Sequence, residues 1–368
     1  MYTRKQDTIS IILPTYDEAE NIGKIIPALS EVLQGDGIEG EIIVVDDNSP
    51  DGTADIASQL VKKYPVRVHV RKSERGLSRA VIEGFQLAEG SIFVVMDADL
   101  SHPVEKVPAM VKPILENRCD ATVASRYIPG GGSESWSLLR RMVSKGAGFL
   151  AKGVTKLSDP TSGFMAIRRS AMDGIELDPL GWKIVLETIV KTKARVLEIP
   201  IVFSDREGGQ SKFGLKVQME YLRHLWRLYG HKYPSIHQFI KFCVVGLSGF
   251  FIDTAVLVAL VDLLFLDPRL AAVFAFFTAV TWNYFFDRVW AFESGRETKI
   301  PSSYVSFVAV YIIGLPIRIG VMHALIEYAG MGESPWYVLA SFIGIVVATI
   351  FNFLGSKYIA FSKFFQKA

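Results

Sequence analysis

The feature that most constrains this chain is a set of four long apolar runs in its C-terminal third. They lie at about 239–260, 270–290, 304–326 and 337–359. A helix needs about 20 mostly apolar residues to cross the hydrocarbon core of a bilayer. Buried helices of a soluble protein would have to lack polar faces four times in succession. We therefore predict an integral membrane protein whose residues 236–368 form an all-α transmembrane domain of four helices.

The charges between these runs predict the orientation of the chain. The loop between the second and third runs carries Arg288, Arg296 and Lys299, and the tail is rich in lysine, whereas the other two loops are poor in positive charge. Because Lys and Arg concentrate in cytoplasmic loops, both termini and the residues before the runs are expected in the cytoplasm. The polar first residues do not resemble a secretory signal and agree with this expectation.

An internal repeat links the second and fourth runs. The segment NYFFDRVWAF at 283–292 recurs as NFLGSKYIAF at 352–361. Each copy ends a run with a basic residue and aromatic side chains, which are typical of a membrane interface. The arrangement resembles the four-helix GtrA-like membrane domain that is associated with polyprenyl-linked sugars.

An amphipathic segment joins the two halves of the chain. Within 213–233, apolar residues recur at helical spacing and basic residues occupy the other faces. A helix of this kind can lie along an anionic lipid surface or pack on a globular core. We predict interfacial helices and a linker at 211–235, and a second amphipathic candidate at 139–154.

The first 210 residues have the pattern of an α/β domain. Continuous apolar runs predict strands at 8–13, 41–45, 66–70, 91–96 and 121–124, and helical patterns fall between them at 21–33, 53–64, 77–88 and 104–117. This alternation predicts a Rossmann-like, mostly parallel sheet covered on both faces. Ligands of such sheets bind beyond the carboxyl ends of the strands.

Composition and missing motifs exclude several classes of function. A net charge of +2 gives no electrostatic support for a nucleic-acid partner, and the two cysteines form no CxxC pattern. A disulfide framework and a thiolate metal site are therefore not expected. The absence of GxGxxG after the first strand, and of GxxxxGK[ST] anywhere, disfavours dinucleotide oxidoreductases and P-loop proteins.

Acidic side chains follow three of the predicted strands. Glu18 comes after the first, Asp46 and Asp47 after the second, and Asp97 and Asp99 after the fourth. Negative charge gathered at one sheet edge is unfavourable unless a cation, or the donors of a ribose and a base, compensate for it. Paired carboxylates after a buried strand suit Mg²⁺ or Mn²⁺, which take oxygen ligands and can keep positions for diphosphate oxygens.

Four motifs in order resemble those of family-2 glycosyltransferases. They are IILPTYDE at 11–18, VVDDNSPDGT at 44–53, MDADL at 96–100 and DPTSGF at 159–164. The resemblance spans about 8–229, and its spacing is closest to dolichyl-phosphate mannose synthases. It implies a GT-A catalytic domain at 1–210, a nucleotide-diphosphate-sugar donor, a divalent cation (Mg²⁺ or Mn²⁺) and inversion at the anomeric carbon.

The resemblance also implies roles for individual residues. Those expected to bind the nucleotide sugar are Pro14, Tyr16, Glu18, Val45, Asp46, Asp47, Asp97, Ala98, Asp99, Arg126 and Lys212. Asp97 and Asp99 would also reach the metal. The family often has a metal-binding Gln two positions further on, where this chain has Ser101, a weaker candidate ligand.

The acceptor chemistry follows from a second absence. The chain lacks the QxxRW sequence that processive synthases of the family use with a catalytic base. An isoprenoid phosphate needs no such base, because its second pKa of about 6 leaves it anionic at neutral pH. It does need positive charge, for which Arg126, Arg140 and Lys212 are candidates. With Asp99 they form the predicted catalytic set, although each cation could instead be an exposed surface charge.

These predictions converge on the transfer of a hexose to dolichyl or polyprenyl phosphate, giving a lipid-linked donor for protein glycosylation. GDP-mannose is the leading donor, and UDP-glucose or another UDP-sugar is the alternative. A lipid-linked sugar carrier without catalysis is a third hypothesis, which the intact acidic strand ends disfavour.

Overall fold

The computed structural model of the chain describes residues 8–72, 75–133, 136–204, 215–333 and 336–362. The chain divides into two compact units, 1–232 and 233–368. The described part of the first unit is α/β, and that of the second is helical.

A mixed sheet organises the first unit. Among the described residues it contains β1 (Ile9–Thr15), β2 (Gly40–Asp46), β3 (Val66–Val70), β4 (Ile92–Val95), β5 (Ala121–Ser125), β7 (Met165–Arg168) and β8 (Val196–Pro200). The order across the sheet is β3-β2-β1-β4-β7-β5-β8. Neighbouring strands are parallel except that β7 runs antiparallel to β4 and β5. The prediction of a mostly parallel sheet is confirmed. The short strands β6 (Gly132–Ser133) and β9 (Val202–Phe203) pair separately.

Helices cover both faces of this sheet. They are α1 (Ala19–Gly35), α2 (Thr53–Leu60), α3 (Leu77–Leu87), α4 (Val107–Leu115) and α6 (Ile184–Thr192). Two further helices, α5 (Leu138–Ala151) and α7 (Leu215–Lys232), form a separate apolar cluster with α6. In β1, Ile11 and Leu13 point to the core under α1, whereas Ile12 points to the core under α3. Because both faces are buried, the central strands have continuous apolar sequences rather than alternating ones.

The topology determines where a ligand can bind. From β1 the chain continues to β2 and β3 and then returns to the other side of β1 for β4. This reversal leaves a crevice beyond the carboxyl ends of β1 and β4. Because β7 is antiparallel, the loop that precedes it, rather than the one that follows, lies at the same edge. The 159–164 motif is therefore brought to the crevice.

The second unit is built from long apolar helices. They are α8 (Pro234–Val258), α9 (Pro268–Phe286), α10 (Ile300–Ala329) and α11 (Trp336–Gly355), and π-helical turns extend α8, α9 and α11. Within the described residues, four helical stretches are long and apolar enough to cross a membrane. The predicted all-α region with four apolar helices is confirmed.

The sequence repeat corresponds to a repeated helix contact. Asn283 on α9 lies so close to Gly249 on α8 that a Cβ at position 249 would overlap its side-chain amide. Asn352 on α11 lies against Gly314 on α10 in the same way. A Gly–Asn contact therefore joins the two helices of each hairpin, α8 with α9 and α10 with α11. The two asparagines are the first residues of the two copies of the sequence repeat.

Candidate active site

Asp46 ends β2 and ties it to the end of β1. Its carboxylate is fully buried. One oxygen accepts hydrogen bonds from the hydroxyls of Thr15 and Ser49, at 2.9 and 2.6 Å, and the other accepts from the Ser49 amide at 2.8 Å. Asp46 therefore shapes the loop at the crevice, and its contact with a nucleotide stays a prediction. Val45, the residue before it, is buried in the core.

Asp47 is anchored to the loop after β3. Its carboxylate accepts hydrogen bonds from the guanidinium of Arg71 and from the amide of Gly76, the latter at 2.7 Å. Arg71 also donates to Glu83 at 2.7 Å, and this bond lowers the pKa of the Glu83 carboxyl. Buried charge is thus paired across β2, β3 and α3, which stabilises the shape of this side of the crevice.

The β1–α1 loop presents an aromatic ring at the mouth of the crevice. Pro14 is buried within β1, whereas Tyr16 is exposed. The Arg75 guanidinium lies 4.6 Å from the centroid of the Tyr16 ring and donates to its hydroxyl at 2.8 Å. Glu18 is buried, and it accepts a hydrogen bond from Asn21 at 2.8 Å. The exposed ring provides a flat surface on which a base could stack.

Asp97 and Asp99 follow β4 on a tight turn. Leu100 has a φ of +60°, which allows the Ser101 amide and hydroxyl to reach back to one Asp99 oxygen at 3.0 and 2.5 Å. Ala98 and Asp99 are buried, whereas the Asp97 side chain is 29% exposed. Ser101 therefore orients the Asp99 carboxylate in this structure, and Asp97 is the more accessible of the two.

The buried ring of His102 packs against this turn. It lies between Phe164 and Phe203, at centroid distances of 5.3 and 5.6 Å. Burial lowers the pKa of His102, and nearby Arg126 adds to the effect. The ring is then neutral, so that Nδ1 can accept a hydrogen bond from the Asp97 amide at 3.1 Å. His102 thus holds the backbone of Asp97 in place.

The carboxylate oxygens of Asp97 and Asp99 are of the ligand type that a divalent cation takes. A Cβ on Gly163 would lie 3.3 Å from Oδ2 of Asp97, so the glycine of the 159–164 motif keeps the space beside that carboxylate open. Across the described residues, no group of three or more His, Cys, Asp and Glu side chains could hold a metal ion. Two carboxylates suit Mg²⁺ or Mn²⁺ bound jointly with the oxygens of a diphosphate.

Arg126 forms a buried ion pair with Asp159. Its Nε and Nη2 donate to the two Asp159 oxygens at 2.6 and 2.7 Å, and Nη2 also donates to Thr161 at 2.8 Å. Burial opposes both charges, but the bonds between them outweigh it, so the pKa of Arg126 is raised and that of Asp159 is lowered. A bidentate Arg–carboxylate pair of this kind has a fixed geometry.

A second predicted cation lies beside the first. The Arg126 guanidinium is 4.7 Å from the centroid of the Trp136 ring, and that of Arg140, on the first turn of α5, is 4.1 Å from it. Both cations thus contact one indole, as cation–π pairs do. Lys212, the third predicted cation, lies outside the described residues.

Lys183 is a cation of this site that sequence reasoning missed. It immediately precedes α6, and its ammonium donates to the Thr161 carbonyl at 3.1 Å. Burial, aided by the positive charge of Arg126, lowers the pKa of Lys183 to about 8, although Asp159 and Asp97 act in the opposite direction. No motif surrounds this lysine in the sequence, so only the fold brings it to the Asp159 loop.

The comparisons with known proteins agree with this geometry. Residues 10–175 match Glycosyl transferase family 2, and residues 241–361 match the GtrA/DPMS transmembrane domain. These matches confirm the expected GT-A type of α/β domain followed by a GtrA-like membrane domain.

Individual relatives extend the match. A dolichol-phosphate mannosyltransferase of Pyrococcus furiosus is 36% identical over 359 residues, which cover 96% of this chain and 99% of that protein. One of Saccharomyces cerevisiae is 36% identical over 238 residues, or 61% of this chain and 88% of that protein. Among solved structures, glucosyl-3-phosphoglycerate synthase of Mycobacterium tuberculosis is 20% identical with a TM-score of 0.46, covering 61% of this chain and 79% of that one.

Proposed function

We infer the reaction from the family to which this chain belongs, that of the dolichol-phosphate mannosyltransferases, whose Pyrococcus furiosus member matches it along almost its whole length. The chain is an integral membrane enzyme that transfers mannose to dolichyl phosphate. One observation of the site supports this activity above all: paired carboxylates after β4 lie at the same sheet edge as the 159–164 loop, which carries the hydrogen-bond partners of Arg126 and Lys183.

The donor that we propose is GDP-mannose. The exposed ring of Tyr16 would offer a stacking surface for the base, and Pro14, Glu18 and Asp47 would contribute to the nucleotide site from the ends of β1 and β2. Asp97 and Asp99 would hold Mg²⁺ or Mn²⁺ together with the diphosphate. What such a cation supplies is neutralisation of the negative charge that builds up on the leaving group.

The cations of the site would guide the acceptor phosphate. Arg126 is held rigidly by Asp159, and Lys183 by the Thr161 carbonyl. In this proposal both face the donor diphosphate, and Arg140 receives the acceptor phosphate from the membrane side. An oxygen of that phosphate then attacks the anomeric carbon, and the bond from this carbon to the diphosphate breaks with inversion. No proton has to be removed, because the phosphate is already anionic.

One exposed helix face of the catalytic unit has the composition of a membrane-contact surface. On α5 the exposed side chains of Leu138, Met142 and Phe149 share one face, and Arg141 and Lys145 lie between them. Apolar and basic residues in this arrangement favour contact with an anionic lipid surface. We propose that the catalytic unit and both termini are cytoplasmic, as the loop charges indicate.

A transfer assay on the full chain in proteoliposomes tests the proposal. Radiolabelled GDP-mannose, UDP-glucose and UDP-N-acetylglucosamine are offered separately with dolichyl phosphate, with Mn²⁺ or with EDTA. We expect mannosyl lipid from GDP-mannose alone, and its loss with EDTA or in Asp99→Ala. Asp55→Ala, which removes an exposed carboxylate of α2, is the matched control and should keep full activity.

Other outcomes would change the proposal in defined ways. Transfer from a UDP-sugar alone would keep the acceptor chemistry and replace the donor. Activity in the presence of EDTA would show that transfer needs no divalent cation. Binding of a nucleotide sugar without any lipid product would contradict the enzyme and favour a carrier.

A further inference from the structure

A short connection, residues 178–183, carries Lys183 to the active site. We refer to it as the 178–183 segment. On one side the hydroxyl of Ser78 donates to the Gly181 carbonyl at 2.6 Å, and at its end Lys183 donates to the Thr161 carbonyl. The position of the Lys183 ammonium therefore depends on how firmly the segment is held.

Helix α7 holds the segment from the other side. Nδ1 of His224 accepts a hydrogen bond from the Leu180 amide at 3.3 Å, and Arg227 forms an ion pair with Asp178. Glu220 lies next to Gly181, where a Cβ would come within 3.2 Å of its carboxylate. Successive turns of α7 thus contact the segment at three places.

Glu187 on α6 contacts both the 178–183 segment and His224. One of its oxygens accepts from the Asp178 amide at 2.8 Å and pairs with Lys191 at 2.6 Å. The other lies 3.8 Å from Nδ1 of His224. The side chains of Glu187 and His224 are 2% and 1% exposed, so both polar groups sit inside the contact between α6 and α7.

Packing alone does not explain this polar pair. Nε2 of His224 and Oε2 of Glu187 are buried without a hydrogen-bond partner among the described residues, which costs free energy. Leu225 and Leu228 of the same helix pack against Leu186 in an apolar cluster. Apolar side chains would therefore join α7 to α6 more stably than His224 and Glu187 do. What the polar pair adds is the direct hold on the Leu180 and Asp178 amides.

We propose that His224, supported by Glu187, is a positioning residue for the active site: it fixes the 178–183 segment and thereby the place of the Lys183 ammonium. The inference rests on the proposed function, in which Lys183 faces the donor diphosphate. It also gives α7 a role beyond anchoring. Leu180 lines a groove with Met219, Leu222 and Trp226 of that helix, so a displacement of α7 would be transmitted to the segment.

A double-mutant cycle in the full-length enzyme tests the proposal. We expect His224→Leu to reduce kcat/KM for GDP-mannose about tenfold. His224→Asn can keep an acceptor for the Leu180 amide and should retain activity within about threefold. In a Lys183→Gln background His224→Leu should cause little further loss, because effects that act through one group are not additive. His231→Leu changes an exposed histidine of the same helix and should leave activity unchanged.

Two results would overturn the proposal. One is an equal loss from His224→Leu with and without Lys183, which would mean that the histidine acts only on general stability. The other is full activity of His224→Leu, equal to that of His224→Asn, which would mean that an acceptor for the Leu180 amide does not matter for catalysis.

Hydrogen exchange gives a second readout if His224→Leu does not fold. The amide of Gln takes the place of Nε2 rather than of Nδ1, which accepts from Leu180. Amide exchange at Leu180 should therefore rise about tenfold in His224→Gln relative to the His231→Leu control, whereas unchanged exchange would contradict the hold on this amide. Exchange does not require activity. A wild-type enzyme without mannosyl transfer would therefore refute the proposed function while leaving this measurement intact.

Discussion

At the scale of single residues, the active site is organised by buried charges whose partners come from distant parts of the chain. Asp159 pairs with Arg126 from the end of β5, and Thr161 accepts from Lys183 next to α6. The Arg126 and Asp159 side chains are almost completely shielded from water, so each charge depends strongly on its partner. Among these groups Lys183 is the one that loses its proton close to neutral pH, because its pKa is about 8.

The pH dependence of the enzyme should report the charge of Lys183. Its pKa of about 8 lies below the usual value for lysine, so the ammonium is present below pH 8 and is lost as the pH rises through that value. If the ammonium contacts the donor diphosphate, kcat/KM should fall above about pH 8, approaching tenfold per pH unit. Lys183→Arg should move this limb to higher pH, because arginine stays charged.

The control for this profile is Lys193→Arg, which changes an exposed lysine beyond the end of α6. It should leave the profile unaltered. An alkaline limb that persists unchanged in Lys183→Arg would assign the titration to another group.

The site residues differ in how well the sequence predicts them. Asp97 and Asp99 follow an apolar strand in a recognisable motif, and the structure places them at the expected sheet edge. Lys183 has no such motif, and its neighbours Arg126 and Asp159 are far away in the sequence. The sequence also does not reveal that the Asp46 carboxylate is occupied by Thr15 and Ser49, because the side-chain pairing depends on the register of β1 with β2.

At the scale of elements, the strands that were predicted are mostly buried on both faces, and the partly exposed edge strand β3 is the exception. β1, β2 and β4 lie in continuous apolar runs, whereas β7 ends in Arg168 and β8 contains Glu198. Short or partly polar strands give no clear periodic signal. The antiparallel β7 is nevertheless the strand that brings the 159–164 loop beside Asp97. The element that sequence patterns describe least well is thus essential to the site.

Contact of α5 with the bilayer can be tested by one charge on its exposed face. Met142→Glu places a carboxylate between the basic residues of this face, where each cation near an anionic surface contributes about 1 kcal/mol. We expect transfer to long-chain dolichyl phosphate in anionic liposomes to fall at least about fivefold, and transfer to a short, water-soluble isoprenyl phosphate to be kept. Val61→Glu, an exposed change at the end of α2, is the control. Equal effects on both acceptors would contradict lipid contact.

The Gly–Asn contacts should determine the stability of each helical hairpin. Gly249→Ala and Gly314→Ala each place a methyl group against an asparagine amide, which should cost about 1–3 kcal/mol, as overpacking does. Gly246 and Gly320, on the same two helices, have open space at the Cβ position, so alanine there should be neutral or slightly stabilising.

Unfolding of the purified enzyme in a denaturing detergent compares these four variants. Similar losses in Gly249→Ala and Gly314→Ala would support equivalent roles for the two hairpins. A loss that is no larger than in the Gly246→Ala and Gly320→Ala controls would show that the helices can move apart at little cost.

At the scale of the whole molecule, the four apolar helices should leave the catalytic unit on the side of the α9–α10 loop. Single cysteines test this arrangement in sealed membranes with a membrane-impermeant maleimide, in a background in which both native cysteines are replaced, Cys119→Ser and Cys243→Ser. Glu293→Cys should react from the cytoplasmic side, and Arg269→Cys and Glu333→Cys from the opposite side. All three replaced residues are exposed. Reaction of all three from one side would contradict four spans.

The order of the two units has a consequence while the protein is being synthesised. β8 completes the sheet by residue 200, α7 ends at Lys232, and the first apolar helix begins only at Pro234. At about 5–20 residues per second, translation of residues 233–368 takes on the order of ten seconds. The catalytic unit has this interval to fold while the rest of the chain is still being made. A folded sheet is too bulky to be threaded through a translocation channel, so folding within this interval would favour the proposed cytoplasmic side for the catalytic unit.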